Sequence, residues 1–235
     1  MKKGIILVSV MILALSSVFA GGQSVKQERD LDGFSRISFG VSGNLYVEFG
    51  RTFSVVLEGD EDDLDEIITE VSNGRLVIKK DNRRFYSSND RKVTIRITMP
   101  ELSGLGVSGS GNAQIVDPVT EADELDLSVS GSGKLNTAGI VADRLNCSIS
   151  GSGNIVIGGE GNADSGEIQI SGSGNYSGEN FEIDRLDVRV SGSGNCACRA
   201  GDSLVAAISG SGNVTYTGNP RIDARVSGSG KVRSK

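Results

Sequence analysis

The chain has 235 residues, 37% hydrophobic and only 5% aromatic, with 33 glycines but three prolines. Average glycine usage is about 7%, so the excess is roughly twofold; scarce proline and the lack of a three-residue period exclude collagen, and the hydrophobic content excludes simple disorder. A net charge of −6 speaks against a nucleic-acid surface, and the absence of histidine removes the commonest general base and a common zinc ligand.

Residues 1–20 have the three parts of a secretory signal. Lys2 and Lys3 form the charged start, Ile5 to Leu15 the apolar stretch, and Val18-Phe19-Ala20 a small-x-small cleavage site ending at Ala20. The apolar stretch is too short to span a hydrocarbon core of about 30 Å. No cysteine follows the cut, which disfavours a lipid anchor, and no later stretch is apolar enough to cross a membrane. The expectation is an exported protein, periplasmic or at the cell surface, starting at Gly21 with net charge −8 and no membrane span in the mature chain.

Residues 21–104 are irregular. Phe53 to Leu57, Leu76 to Ile78 and Val93 to Thr98 read as strands, the last ended by Pro100, and Asp60 to Glu70 reads as a short helix. Asp60, Glu61, Asp62, Asp63, Asp65 and Glu66 form an acid cluster, followed by Lys79, Lys80, Arg83 and Arg84. The cluster lacks the glycine and spacing of an EF-hand loop, so it reads as a charged cover over an exposed strand edge. This segment is expected to form the first coils of one domain spanning 21–235 and to cap it.

From residue 105 a repeat dominates. Ser-Gly-Ser-Gly followed by Asn or Lys begins at Ser108 (with Gly109, Gly111 and Asn112), Ser130 (Gly133, Lys134), Ser150 (Gly153, Asn154) and Ser171 (Gly174, Asn175). Further copies begin at Ser191 (Gly194, Asn195), Ser209 (Gly212, Asn213) and Ser227 (Gly230, Lys231). The intervals are 22, 20, 21, 20, 18 and 18 residues, and Ser42-Gly43-Asn44 is a degenerate relative preceded by Val41, Phe39 and Ile37. Ahead of each turn apolar residues alternate with polar ones, as in Leu125, Leu127, Val129 against Asp126, Ser128. That is the strand period. A unit of this length cannot bury its apolar face alone, but stacking on identical neighbours makes each inward column a continuous stripe. Repeats running in one direction pair in parallel at about 4.8 Å. The expected fold is all-β, a parallel β-helix or β-solenoid of about seven regular coils (105–235) plus irregular N-terminal coils. The turn glycines would supply positive φ, the Asn would tolerate the same region and stack its amide, and Ala206, Ala207 and Ala224 would fit a narrowing coil.

The turn motif superficially resembles a phosphate loop or a serine nucleophile. A phosphate loop leads into a helix, whereas these glycines lead into strands, and with no histidine only Lys134 or Lys231 could serve as base. RTX-type calcium repeats need an Asp that the motif lacks. The outward column of Asp126, Asn146, Glu167, Asp187, Val205 and Asp223 could line a carbohydrate groove or hold a divalent cation; its bland reading is a solvated face relieved by Arg189 and Arg225. Cys147, Cys196 and Cys198 fall in inward positions with poor bridging geometry and read as buried free thiols.

Arg29-Asp30-Leu31-Asp32-Gly33-Phe34-Ser35-Arg36-Ile37, Gly74-Arg75-Leu76-Val77-Ile78, Met99-Pro100-Glu101-Leu102 and the turn copies together resemble the DUF2807 family, labelled "putative auto-transporter adhesin, head GIN domain". The resemblance covers nearly all of residues 28–233. It implies a single-stranded, right-handed parallel β-helix exported by bacteria and brings no catalytic residues with it. An autotransporter also needs a C-terminal membrane barrel, and this sequence stops at Lys235 just past the last turn. The expected function is a non-enzymatic adhesin, scaffold or envelope-associated module without cofactor, whose partner is an envelope or extracellular protein or glycan. The alternative is a carbohydrate-active enzyme using the outward carboxylates.

Overall fold

The computed structural model describes residues 24–81 and 93–235; the leader read over residues 1–20, with Ala20, lies outside them, as do Arg83 and Arg84. The irregular part contains β1 (Ser24–Arg29), β2 (Arg36–Gly40), β3 (Gly43–Phe49), β4 (Ser54–Asp60), α1 (Glu61–Asp65), β5 (Ile67–Ser72), β6 (Arg75–Lys80) and β7 (Val93–Met99). The repeats follow as β8 (Gly104–Gly109), β9 (Asn112–Ile115), β10 (Val119–Gly131), β11 (Lys134–Thr137), β12 (Ile140–Gly151) and β13 (Asn154–Ile157). The last are β14 (Gly161–Gly172), β15 (Asn175–Gly192), β16 (Asn195–Gly210), β17 (Asn213–Thr217), β18 (Arg221–Gly228) and β19 (Lys231–Ser234).

Each strand before a turn pairs in parallel with its equivalent in the next coil. Leu127 lies between Leu105 and Cys147, and Val190 between Ile170 and Ile208. Strands after the turn do the same, so that Ile155, Tyr176, Cys196 and Val214 form one column. The result is a β-solenoid of about seven turns. The alternation explains it: Leu125, Leu127 and Val129 are buried while Asp126 and Ser128 stay partly exposed, and the same split recurs coil after coil. Ala206 and Ala224 belong to the inward column, but Ala207 stands in the outward one, opposite Arg189 and Arg225.

The first coils stack out of sequence order. β2 lies between β6 and β8, and β3 between β7 and β9, all in parallel, so the first coil of the chain is an inner layer of the stack. Beyond it the pairing turns antiparallel, with β4 on β7, β1 on β4 and β5 on β6. The degenerate turn also sits two residues from its expected register. Asn44 faces Asn112 and Phe39 faces Val107, which puts Ser42 opposite Ser110, with their hydroxyls 3.1 Å apart. Ser42-Gly43-Asn44 therefore matches the second half of the motif.

The helix expected over Asp60–Glu70 is confined to α1. Asp60 caps it, accepting from the Asp62 N–H at 3.3 Å, and Leu64 is buried beneath it. The chain then becomes β5, because Ile67, Ile68, Thr69 and Val71 favour a strand and the Asn73-Gly74 pair closes a hairpin with φ of 51° and 70°.

The two glycines of each turn do different work. The first, as at Gly192 with φ 124°, lies in the left-handed region. The second does not; a methyl built on Gly194 would come under 3.0 Å from both the Gly174 carbonyl oxygen and an Ile170 methyl. This close approach lets the ladder run through the bend: Ser193 and Gly194 donate to Gly172 O at 2.8 and 3.0 Å, and Asn195 donates to Gly174 O at 3.2 Å. The turn asparagines are not in the left-handed region, which apart from glycines holds only Asn73 and Glu121 among the described residues. Their amides do form a ladder, Asn175 donating to Asn154, Asn195 to Asn175 and Asn213 to Asn195 at 2.9, 3.0 and 3.0 Å.

All three cysteines are buried and free. Burial pushes the Cys147 thiol well above the usual range. Cys196 is raised by its hydrogen bond with Cys198 and then by burial.

Two sets of variants test this architecture. Val190→Asp would bury an unpaired carboxylate between Ile170 and Ile208 and should cost several kcal/mol. Arg189→Asp alters a half-exposed position and should cost only about 1 kcal/mol, through crowding of Glu167 and Asp187. Gly194→Ala should cost about 1–3 kcal/mol by forcing two coils apart. Urea unfolding gives the ranking, and hydrogen exchange should show damage at Val190 spreading to adjacent coils first. Equal losses for Arg189→Asp and Val190→Asp would invert the assigned faces.

The thiols give a pH signature. The unfolded chain releases thiol protons above about pH 8.5 that the folded chain retains, so stability is full below that pH and falls as pH rises, by up to about 1.4 kcal/mol per pH unit for each raised thiol. Cys147→Ala should make this decline shallower in urea titrations, and native protein should label with iodoacetamide only in denaturant. An unchanged slope, or rapid native labelling, would place these thiols outside the core.

Candidate functional site

The outward residues of successive coils form straight columns along the solenoid axis, and these columns are the surface available for function. Four places before each turn from Ser130 onward stand Asp126, Asn146, Glu167, Asp187, Val205 and Asp223, in register. The structure ties them to one another and to basic neighbours. Arg36 approaches Asp126 at 3.8 Å, and Asn146 donates to Glu124 and Asp126 at 2.8 and 3.0 Å. Arg189 contacts Glu167 and pairs with Asp187 at 2.9 Å, Gln169 donates to Glu167 at 2.8 Å, and Arg225 lies 3.7 Å from Asp223. Glu167 and Asp187 border a shallow open depression with Arg144, Arg185 and Arg189. Glycoside hydrolysis needs two carboxyls facing each other across the scissile bond, one kept protonated by its surroundings. Here the carboxylates stand side by side on one wall, two of them sharing an arginine. Among the described residues no group of three or more His, Cys, Asp or Glu side chains could hold a metal ion.

The turn residues lie along one edge of the rod, at the bends between the strands of each coil. Their first serines, Ser108, Ser130, Ser150, Ser171, Ser191, Ser209 and Ser227, face one another in register. Asn112, Lys134, Asn154, Asn175, Asn195, Asn213 and Lys231 form a second column past the bend. Of the two lysines that could serve these serines as base, Lys134 and Lys231, both are exposed and lie past the bend rather than opposite a first serine. The acid cluster around α1 is engaged with its surroundings; Lys80 pairs with Glu66 at 3.1 Å and Gln27 donates to Asp65 at 3.2 Å.

Two concavities were not foreseen from the sequence. One is a trough of about 500 Å³ running along the axis over four coils. One wall is Gln169, Arg189, Ala207 and Arg225, the other Ser171, Ser191, Ser209 and Ser227, and the backbone of Ile170, Val190, Ile208 and Val226 forms the floor. In the first wall Ala207, a small residue, stands between two arginines. The other is an acidic recess of about 660 Å³ beside the start of β10, with Glu101, Asp117, Glu121, Asp123 and Glu124 around Arg36. Asp117 is held there by the Phe49 N–H at 2.9 Å. The signal for the trough was present in the sequence as Arg189 and Arg225 two places before their turns, with Ala207 between them in the intervening copy.

No helix among the described residues is long and apolar enough to cross a membrane. No curated protein sequence matches the chain. Solved structures do. A protein from Bacteroides fragilis described as a putative adhesin is 24% identical with a TM-score of 0.86, over 93% of this chain and 100% of its own. A putative adhesin from Parabacteroides merdae is 22% identical with a TM-score of 0.72, over 91% of this chain and 97% of its own. A protein from Parabacteroides distasonis described as a putative lipid binding protein is 26% identical with a TM-score of 0.71, over 91% and 97%. The family profile described as "Putative auto-transporter adhesin, head GIN domain" matches residues 33–220, most of the chain, and the protein belongs to that DUF2807 family.

Proposed function

We propose that the protein is an exported, non-enzymatic binding module that adheres through the outward columns of its solenoid to an envelope or extracellular partner. The observation that carries this reading is the open wall: the carboxylates best placed for chemistry lie side by side and are tied to arginines. Membership of an adhesin family and the adhesin-like structural neighbours support it. The secretory pattern ending at Ala20 supports export, with residues 21–235 as one β-helix domain. In this reading the Ser-Gly-Ser-Gly turns are structural: their first glycines turn the chain and their second glycines allow coils to touch.

Labelled protein beginning at Gly21 is expected to bind bacterial envelope preparations saturably and to leave polysaccharides uncleaved. Glu167→Gln should likewise leave polysaccharides uncleaved. Reproducible glycan cleavage that disappears in Glu167→Gln would replace the adhesin reading with an enzymatic one.

A further inference from the structure

We propose that the trough between the Arg189–Ala207–Arg225 wall and the Ser191–Ser209–Ser227 wall binds a linear acidic glycan lying along the solenoid axis. This rests on the adhesin reading and names the ligand class of one of its surfaces.

The floor of the trough decides first what the occupant is not. The backbone groups of Val190 and Ile208 are committed to the parallel ladders on both sides. An extended peptide finds no free strand edge there, so recognition falls to side chains. Those side chains are of two kinds. Arg225 is 84% exposed and only loosely approached by Asp223 at 3.7 Å, which leaves its planar donor fork open to a carboxylate. Arg189 spends one terminal nitrogen on each of Glu167 and Asp187, yet carries five N–H donors in all. Opposite them, the serine hydroxyls both donate and accept, as a polyhydroxylated ligand requires.

Spacing adds a second constraint. Arg189 and Arg225 are two coils apart, about 10 Å at the inter-strand spacing. That is the scale of a disaccharide, so the two guanidiniums meet alternate units of a linear chain, with Ala207 making room for the unit between. Upstream the same columns continue as Ser128 and Ser148 beside Ser130 and Ser150, hydroxyls without arginines. The protein as a whole is acidic, so long-range charge does not recruit a polyanion; it is held in the trough by the guanidinium donors that Glu167, Asp187 and Asp223 leave unused. The trough's lining is mainly apolar and open to solvent along its length, which suits the C–H face of a sugar ring better than a lipid chain, which needs enclosure.

The test uses polygalacturonate as probe, dextran as the neutral sugar and polyaspartate as the polyanion without sugar, in affinity electrophoresis and calorimetry. Phosphatidylglycerol vesicles are measured alongside. The expected result is saturable binding of polygalacturonate, with dextran and vesicles unbound and polyaspartate much weaker. Arg225→Glu and Ala207→Trp should each weaken polygalacturonate at least about tenfold, the first by charge and the second by filling the trough. Unfolding curves for both variants verify that they fold, since both positions face outward. Undiminished binding in the two variants, equal binding of polyaspartate, or preference for the vesicles would each overturn the proposal. So would an absence of polygalacturonate binding in protein that still adheres to envelope, a result that leaves the adhesin reading standing. Trough-dependent binding of polygalacturonate without envelope adhesion would uphold the site and remove the broader reading instead.

Discussion

Everything in this rod depends on how closely one turn can lie on the next. A parallel ladder demands that equivalent residues stay about 4.8 Å apart, at the bends as well as along the strands. At Gly174, Gly194 and Gly212 that spacing leaves no room for a methyl group, because the carbonyl of the previous coil's glycine fills the space. The reward is an unbroken ladder through the bend, with Ser211 and Gly212 both bonded to Gly192 O at 2.9 and 3.0 Å. A bend that splayed would leave those amides buried without partners and would pull the inward columns out of contact. The turn motif thus holds the hydrophobic stacking in register, and the stacking in turn gives the turn its neighbour.

The same constraint explains why the regular part of the fold was legible in the sequence. Inward and outward columns follow from a period of two counted back from a fixed turn, and Cys147 or Val190 could be placed by that count alone. What the count could not supply was the order of stacking. β2 and β3 pair with coils on both sides, but nothing local to residues 36–49 says which coils those are. The helix misread over Asp60–Glu70 has a local cause: the acidic run suits a helix start, while the β-branched residues from Ile67 and the Asn73-Gly74 turn argue for a hairpin. The register of Ser42 was misjudged because Phe39 and Val41 are both buried in either alignment, so alternation cannot choose between them. The carboxylate column was visible because it is periodic. The trough's residues follow from the same count, with Ala207 between Arg189 and Arg225, but no periodic pattern marks them as a concavity.

The antiparallel cap at the N-terminal end follows from the physics of edges. A parallel stack ends in a strand with unpaired amides, and a further parallel coil would only move the problem along. Reversing direction lets β4, β1 and β5 close onto the stack by short connections. α1 lies against them with Leu64 inward. The acidic cluster is part of this cover: Lys80 of β6 pairs with Glu66 at 3.1 Å, and Gln27 of β1 donates to Asp65 at 3.2 Å.

A solenoid separates stability from recognition more cleanly than most folds. The inward columns need only apolar residues of about the right size, and the turns need glycines, so neither says much about a ligand. Outward positions are free of both demands. A change there, such as alanine in place of arginine at position 207, costs the stack almost nothing yet alters the surface over three coils. Specificity can therefore be written one outward residue at a time, along a ruler set by the ladder. On such a surface the informative residues are those that break the repeat. In this chain the carboxylate column and the serine column are regular, and regularity is what the stack produces on its own account. In one coil Ala207 lies between two arginines and Val205 between two aspartates, two residues apart, so this coil carries uncharged side chains where the coils on either side carry charge. That coincidence makes the coil around Ala207 a local gap in the charged outward face, within the trough.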